Sequence, residues 1–273
     1  MLEELKDKQF SFKKQFGQNF LTDGNLLKSI CVSAGITKQS NVLEVGAGAG
    51  TLTSFLTQFA KQVVSFEIDK ELHPLLTEKF KDTNNITFIF KDFMKESMKD
   101  VEKLFDGPYM VVANIPYYIT TPLIFKIIEE GENATSLVLM VQEEVGKRFT
   151  ALPGTKEYGA VSVMLNYYGD VSIIKYVKRH MFTPPPNVDS CVVKIDLKPN
   201  KFEVNKDVFS KCVQASFENR RKMLLGNLKR AFSLTNEQLE NIFNKLQIDT
   251  TIRGEKLSVQ QFVELSNEIA KYI

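Results

Sequence analysis

Histidine is the scarcest of the chemistry-bearing residues: His73 and His180 are the only two in 273 residues, and they stand in unrelated contexts. Two isolated imidazoles give no support to a zinc centre, which draws on clustered His and Cys ligands, or to a His-based catalytic triad. Cysteine is nearly as sparse. Cys31, Cys191 and Cys212 lie far apart with no paired spacing, which points to free thiols in a reducing compartment and not to a disulfide framework. No apolar run approaches the roughly 18 residues of a membrane span; segments such as Leu137 to Val141 are short, as buried strands are. The N-terminus has no signal-like apolar core, so a cytoplasmic location is expected. The chain has no internal repeat and no low-complexity tract.

What is there is a globular composition, 43% hydrophobic and 25% charged, on a chain long enough for a full α/β domain plus a smaller one. Net charge is only +2, but the basic residues are gathered. From Lys201 onward 12 Lys/Arg face 9 Asp/Glu, and Arg220, Arg221, Lys222, Lys229 and Arg230 follow one another with no acid between them. Lys175, Lys178, Arg179 and His180 form a second cluster, Lys13 and Lys14 a third. Each alone reads as a solvated face. Three of them in a near-neutral chain favour a partner with a phosphate backbone.

Strand-like runs at 41–45, 62–67, 86–90, 109–113 and 136–141 alternate with helical patterns, which predicts a parallel sheet covered by helices. Thr22-Asp23 is a helix N-cap signal before 25–34, a helix is expected from Ile68-Asp69 to Lys79, and late strands are expected at 171–177 and 191–197. Lys198-Pro199-Asn200 marks a boundary, giving residues 1–199 as the α/β domain and 200–273 as a small helical one. Helices are expected there at 208–217, 221–232, 236–246 and 258–269.

The chemistry collects where the strands end. After the first comes Gly46-Ala47-Gly48-Ala49-Gly50, a loop that lets backbone approach a ligand closely. The dinucleotide fingerprint places its third glycine one position later, where this chain has Thr51, and that weakens a nicotinamide or flavin reading. Glu67 ends the second strand 21 residues after Gly46, the place of an acid that accepts from ribose hydroxyls; the plainer alternative is an acid favouring a helix dipole. Asp92, beside Phe93, ends the third strand and suits an adenine, whose amino group needs an acceptor and whose face needs apolar cover. The fourth delivers Asn114-Ile115-Pro116-Tyr117. The Asn114 side-chain oxygen, the Ile115 backbone carbonyl and the Tyr117 ring are what an exocyclic amine on a flat base requires. Further on, prolines stiffen Phe182-Thr183-Pro184-Pro185-Pro186, either as a rigid turn or as a second aromatic wall made by Phe182. The lead-in Lys13 to Leu21 mixes base, amide and aromatic; it is a polar entry to a helix, or a segment that folds over a ligand through Asn19 and Leu21.

Together these motifs resemble the S-adenosylmethionine-dependent adenine N6-methyltransferases. Phe16 to Leu21 and Phe182 to Ser190 narrow the resemblance to the ribosomal RNA adenine N6,N6-dimethyltransferases. Gln142-Glu143-Glu144-Val145, Tyr158-Gly159, Ser216 to Lys222 and Arg253 to Leu257 are similar to the small-subunit branch of that family. The likeness runs from residue 13 to about 265; Ala47 departs from it, where the small-subunit branch usually has proline. The resemblance implies a Rossmann-like class I methyltransferase fold and no metal. It implies that Asn19, Leu21, Gly46, Gly48, Glu67, Asp92 and Asn114 contact the methyl donor, that Asn114, Ile115, Tyr117 and Phe182 hold the target, and that Arg220, Arg221 and Lys222 bind RNA. The implied product is N6,N6-dimethyladenosine at two adjacent positions in a 3'-terminal hairpin loop of small-subunit (16S) rRNA, made on the small ribosomal subunit during its assembly; the chain itself is expected to be a monomer. Three alternatives stay open: a large-subunit (23S) enzyme of the macrolide-resistance type, an N6-adenine DNA methyltransferase, and a non-catalytic assembly or transcription factor on the same fold. The intact Gly46, Glu67, Asp92 and Asn114 weigh against the last.

Overall fold

The computed structural model describes residues 20–21, 23–198 and 202–273. Asn19 and the Pro199-Asn200 boundary lie outside the described residues. The chain forms two compact units, one made of residues up to Glu143 with Ile173–Lys194, the other of Glu144–Ser172 with Ile195–Ile273.

The order is β1 (Phe20–Leu21), α1 (Gly24–Ala34), β2 (Asn41–Val45), α2 (Thr51–Phe59), β3 (Gln62–Phe66), α3 (His73–Lys79), β4 (Ile86–Ile89), α4 (Met98–Glu102), β5 (Tyr109–Ala113), α5 (Tyr117–Glu130) and β6 (Ala134–Gln142). Then come α6 (Glu143–Phe149), α7 (Ala160–Tyr168), β7 (Gly169–Val177), β8 (Phe182–Thr183), β9 (Ser190–Leu197), α8 (Lys206–Glu218), α9 (Leu224–Phe232), α10 (Asn236–Lys245) and α11 (Val259–Ile269). Seven strands make one sheet in the order β4-β3-β2-β5-β6-β9-β7, and the first five run parallel. The apolar runs at its centre are continuous, not alternating, because helices cover both faces of a parallel sheet. Val42, Leu43, Val111, Leu137 and Leu139 are accordingly sealed from solvent. Val45 pairs with both Phe66 and Ala113, so β2, β3 and β5 end level with one another.

Asp23 caps α1 by accepting from the Leu26 N–H at 3.0 Å. The helix expected from Ile68 starts late. A 3-10 turn at Lys70–Leu72 comes first, with the Asp69 carboxylate accepting from Glu71 N–H, and α3 follows with Pro74 in its first turn, where no N–H is needed.

The second unit has a helical C-terminal part, α8 to α11. Thr235 with Gln238, and Ser258 with Gln261, close two capping boxes. Phe209, Leu224, Leu228, Phe243, Phe262 and Leu265 form its core. The helix expected from Arg221 begins only at Leu224. The chain turns first, with Lys222 N–H donating to Asn219 O at 2.9 Å, so Arg221 and Lys222 stand on a turn and not on a helix. Among the described residues no helix is long and apolar enough to cross a membrane.

Candidate active site

The strand order dictates where a ligand can sit. From β2 the chain steps outward through β3 and β4, then returns to β5 on the other side of β2. At that reversal the loops leaving β2 and β5 part in opposite directions, and a crevice opens past the carboxyl ends of the strands. A cavity of about 410 Å³ lies there. Leu21, Gly46, Gly48, Glu67, Asp92, Asn114, Ile115, Tyr117 and Phe182 all line it. Residues that stand up to 161 positions apart in sequence, as Leu21 and Phe182 do, are thereby gathered around one space.

The glycine loop takes a form that other residues resist. Gly46 has φ +85°, and a Cβ there would stand 3.0 Å from Ile115 Cγ2. Gly46 N–H donates to Phe66 O at 2.8 Å, pinning the loop to β3. Gly48 N–H donates to Glu67 Oε2 at 2.7 Å, and Asp69 N–H donates to Glu67 Oε1 at 2.8 Å. The Glu67 carboxylate is thus oriented by backbone at both oxygens while bordering the cavity. Burial, at 5% exposure, pushes its pKa up, and the backbone donors oppose that rise. At the loop's far end Lys79 Nζ donates to Ala49 O and Gly50 O at 3.0 and 2.9 Å.

Beneath the loop lies Glu44, at 0% exposure. Its Oε2 accepts from Thr53 Oγ1 at 2.7 Å and Ser65 Oγ at 2.6 Å, and its Oε1 has no partner among the described residues. Desolvation dominates those two donors and raises its pKa from 4.5 to about 7. A folded-state pKa above the unfolded one means that stability is greatest below pH 4.5 and is lost as pH rises to about 7. Glu44→Gln cannot ionise, so this contribution to the pH dependence should vanish over that window. Its gain over the parent should grow by roughly 3 kcal/mol between pH 4.5 and 8, and urea denaturation at the two pH values measures it.

Asp92 Oδ1 caps the turn Phe93–Lys95 through Met94 N–H at 3.1 Å. Phe93 packs edge-on to Phe66 with centroids 5.2 Å apart. Asn114 follows β5 directly and is half-buried; its side chain makes no hydrogen bond among the described residues. Tyr117 opens α5, and its hydroxyl is 2.8 Å from Ser190 Oγ, which fixes the ring; burial raises its pKa. Leu21 and Phe182 are register partners in the two-stranded antiparallel pair β1–β8, which brings both to the cavity.

Sequence reasoning passed over Ile68 and Tyr118, both cavity-lining and exposed at 50% and 73%. Their only signal was position, directly after Glu67 and Tyr117. Arg220, Arg221 and Lys222 belong to the second unit. There Arg220 is engaged by Glu255 at 3.1 Å and by Lys156 O at 3.0 Å.

A switch-point cavity walled by a glycine loop and strand-end acids, on this seven-stranded sheet, defines a class I methyltransferase fold. Solved structures agree: the dimethyladenosine transferase from Plasmodium falciparum superposes with TM-score 0.77 at 26% identity, covering 92% of this chain and 98% of that one. The 23S rRNA methyltransferase ErmE has the same fold, with TM-score 0.72 at 23% identity over 92% of this chain and 100% of its own. The chain belongs to the ribosomal RNA adenine dimethylase family, whose model matches residues 9–271. It is 44% identical over 264 residues to the ribosomal RNA small subunit methyltransferase A of Clostridioides difficile (strain 630), 95% of this chain and 91% of that relative.

Proposed function

We propose that this chain transfers methyl groups from S-adenosylmethionine to N6 of adenosines in small-subunit rRNA, two per base, at two neighbouring adenosines of the 3'-terminal hairpin loop. One observation carries the reading: Asn114, an amide with no hydrogen bond among the described residues, borders the same cavity as the backbone-oriented carboxylate of Glu67. Similarity to the Clostridioides difficile methyltransferase supports the small subunit as substrate and disfavours the large one.

The cavity fits the donor. Its 410 Å³ lies within the usual range of ligand pockets, Gly46 leaves room for a close backbone approach, Glu67 offers acceptors to a ribose, and Asp92 offers one to an adenine amino group. Ile68, Phe93 and Met94 supply apolar cover, and Leu21 closes the donor side. S-adenosylmethionine, when bound, supplies an activated methyl on a sulfonium.

The protein's task is the amine. Adenine N6 is a weak nucleophile because its lone pair is delocalised into the ring. Asn114 Oδ1 and Ile115 O accept its two N–H bonds, draw the nitrogen towards tetrahedral geometry and release the lone pair. Both acceptors are neutral, and the proton leaves after transfer, so no strong base is needed. Tyr117 stacks on the ring, Phe182 walls the pocket, and positioning supplies most of the acceleration. A singly methylated amine keeps one N–H and a usable lone pair, so the same residues can direct a second transfer. The target base must leave its stack, which an unpaired loop allows at least cost. The helical part from residue 200 onward binds the RNA of the subunit, with Arg221 and Lys222 on phosphate; Arg220, tied to Glu255, has less freedom to do so. The chain works as a monomer in the cytoplasm.

Incubating the protein with unmethylated small subunits and labelled donor, then mapping methylated adenosines by mass, tests the reading. The expected result is dimethylation of two adjacent adenosines in the 3'-terminal hairpin. Label confined to large-subunit RNA, or no label, overturns it.

A further inference from the structure

We propose that Tyr118 is a stacking platform for the unpaired base next to the target adenine. Tyr117 and Tyr118 are successive residues in the first turn of α5, and successive helical side chains do not face the same way. Tyr117 is half-buried and held by Ser190. Tyr118 is 73% exposed and makes no hydrogen bond or ring contact among the described residues, yet it lines the cavity that holds Asn114. A large aromatic side chain held in water at the edge of this cavity favours an occupant with a flat apolar face.

The nature of that occupant rests on the proposed methylation of adenine. A space of about 410 Å³ has to take the donor and one extruded base, so the neighbouring nucleotide stays outside. Unstacked by the departure of its partner, that base presents a π face to solvent, and single-stranded recognition satisfies such faces on aromatic side chains. Tyrosine suits the role because its rigid ring loses little freedom on contact. The contact is made to substrate alone, so it sets subunit affinity and leaves the donor's site untouched.

Steady-state kinetics on unmethylated small subunits with the full chain separates the possibilities. Tyr118→Ala should raise KM for the subunit about tenfold with kcat within about twofold and the Kd for S-adenosylmethionine unchanged, and Tyr118→Phe, which keeps the face, should restore the parent KM. An unchanged KM in Tyr118→Ala overturns the proposal, as does an equal loss in Tyr118→Phe, which would assign the effect to the hydroxyl, or a loss confined to donor affinity. If the parent methylates and Tyr118→Ala matches it, this proposal falls alone; if the parent does not methylate, the adenine reading falls and takes the platform with it.

Discussion

Asn114→Ala should lower kcat for methyl transfer by about a hundred- to a thousandfold, the loss seen when one preorganised hydrogen-bonding group is removed from a reacting centre, and leave subunit affinity within a few-fold of the parent. The asymmetry comes from what Asn114 does. In the proposed mechanism its acceptor matters most as N6 changes geometry, so it favours the transition state over the bound ground state. On the proposed reading, affinity for the particle comes instead from phosphate contacts on basic side chains. The fold has little at stake in this side chain, which is half-buried and unbonded among the described residues, so the urea midpoint should stay near that of the parent. Asn114→Asp keeps an acceptor at the same place and should lose less than the alanine variant. Single-turnover methylation, run beside subunit binding by filtration, gives both quantities. A parent-like rate in Asn114→Ala would remove the amide from the mechanism.

How much of this was readable in advance differs from residue to residue, for physical reasons. Gly46, Glu67, Asp92 and Asn114 stood out because a buried parallel strand is a short apolar run, and the polar residue that ends it is conspicuous. Their convergence needed only the rule that such strands point the same way, and all four line one cavity. The small β1–β8 pairing was not legible, since two residues a side carry no period. Nor was the late start of α9: Asn219 to Met223 look as helical as the residues from Leu224 onward, and a backbone hydrogen bond to Asn219 O decides for a turn. Burial was the most elusive property. Glu44 sits in an apolar strand where alternation could have turned it outward, but a sheet covered on both faces has no outward side for it. Ile68 and Tyr118 show the reverse. Both look like core residues in sequence, and only the cavity explains their exposure.

Glu67→Ala should weaken S-adenosylmethionine binding by about a hundredfold, because two hydrogen bonds from ribose hydroxyls to a carboxylate together contribute roughly 3 kcal/mol. A second consequence comes from the protein itself. Glu67 Oε2 and Oε1 hold Gly48 N–H and Asp69 N–H, so its removal would free the glycine loop as well as the ribose it is proposed to hold. Glu67→Gln separates the two effects only partly, since an amide has one acceptor atom where the carboxylate has two, and either Gly48 or Asp69 must then face an NH2 group. Binding by the parent should also fade on acidification. Burial raises the Glu67 pKa, and the protonated acid is the poorer acceptor, so affinity should fall as pH drops through that raised value while the alanine variant stays level. Calorimetric titration with the donor across pH, on parent and Glu67→Ala, reads both slopes. Parent-like affinity in Glu67→Ala, with only its thermal midpoint lowered, would reduce Glu67 to a tie for the loop and leave the ribose to another acceptor.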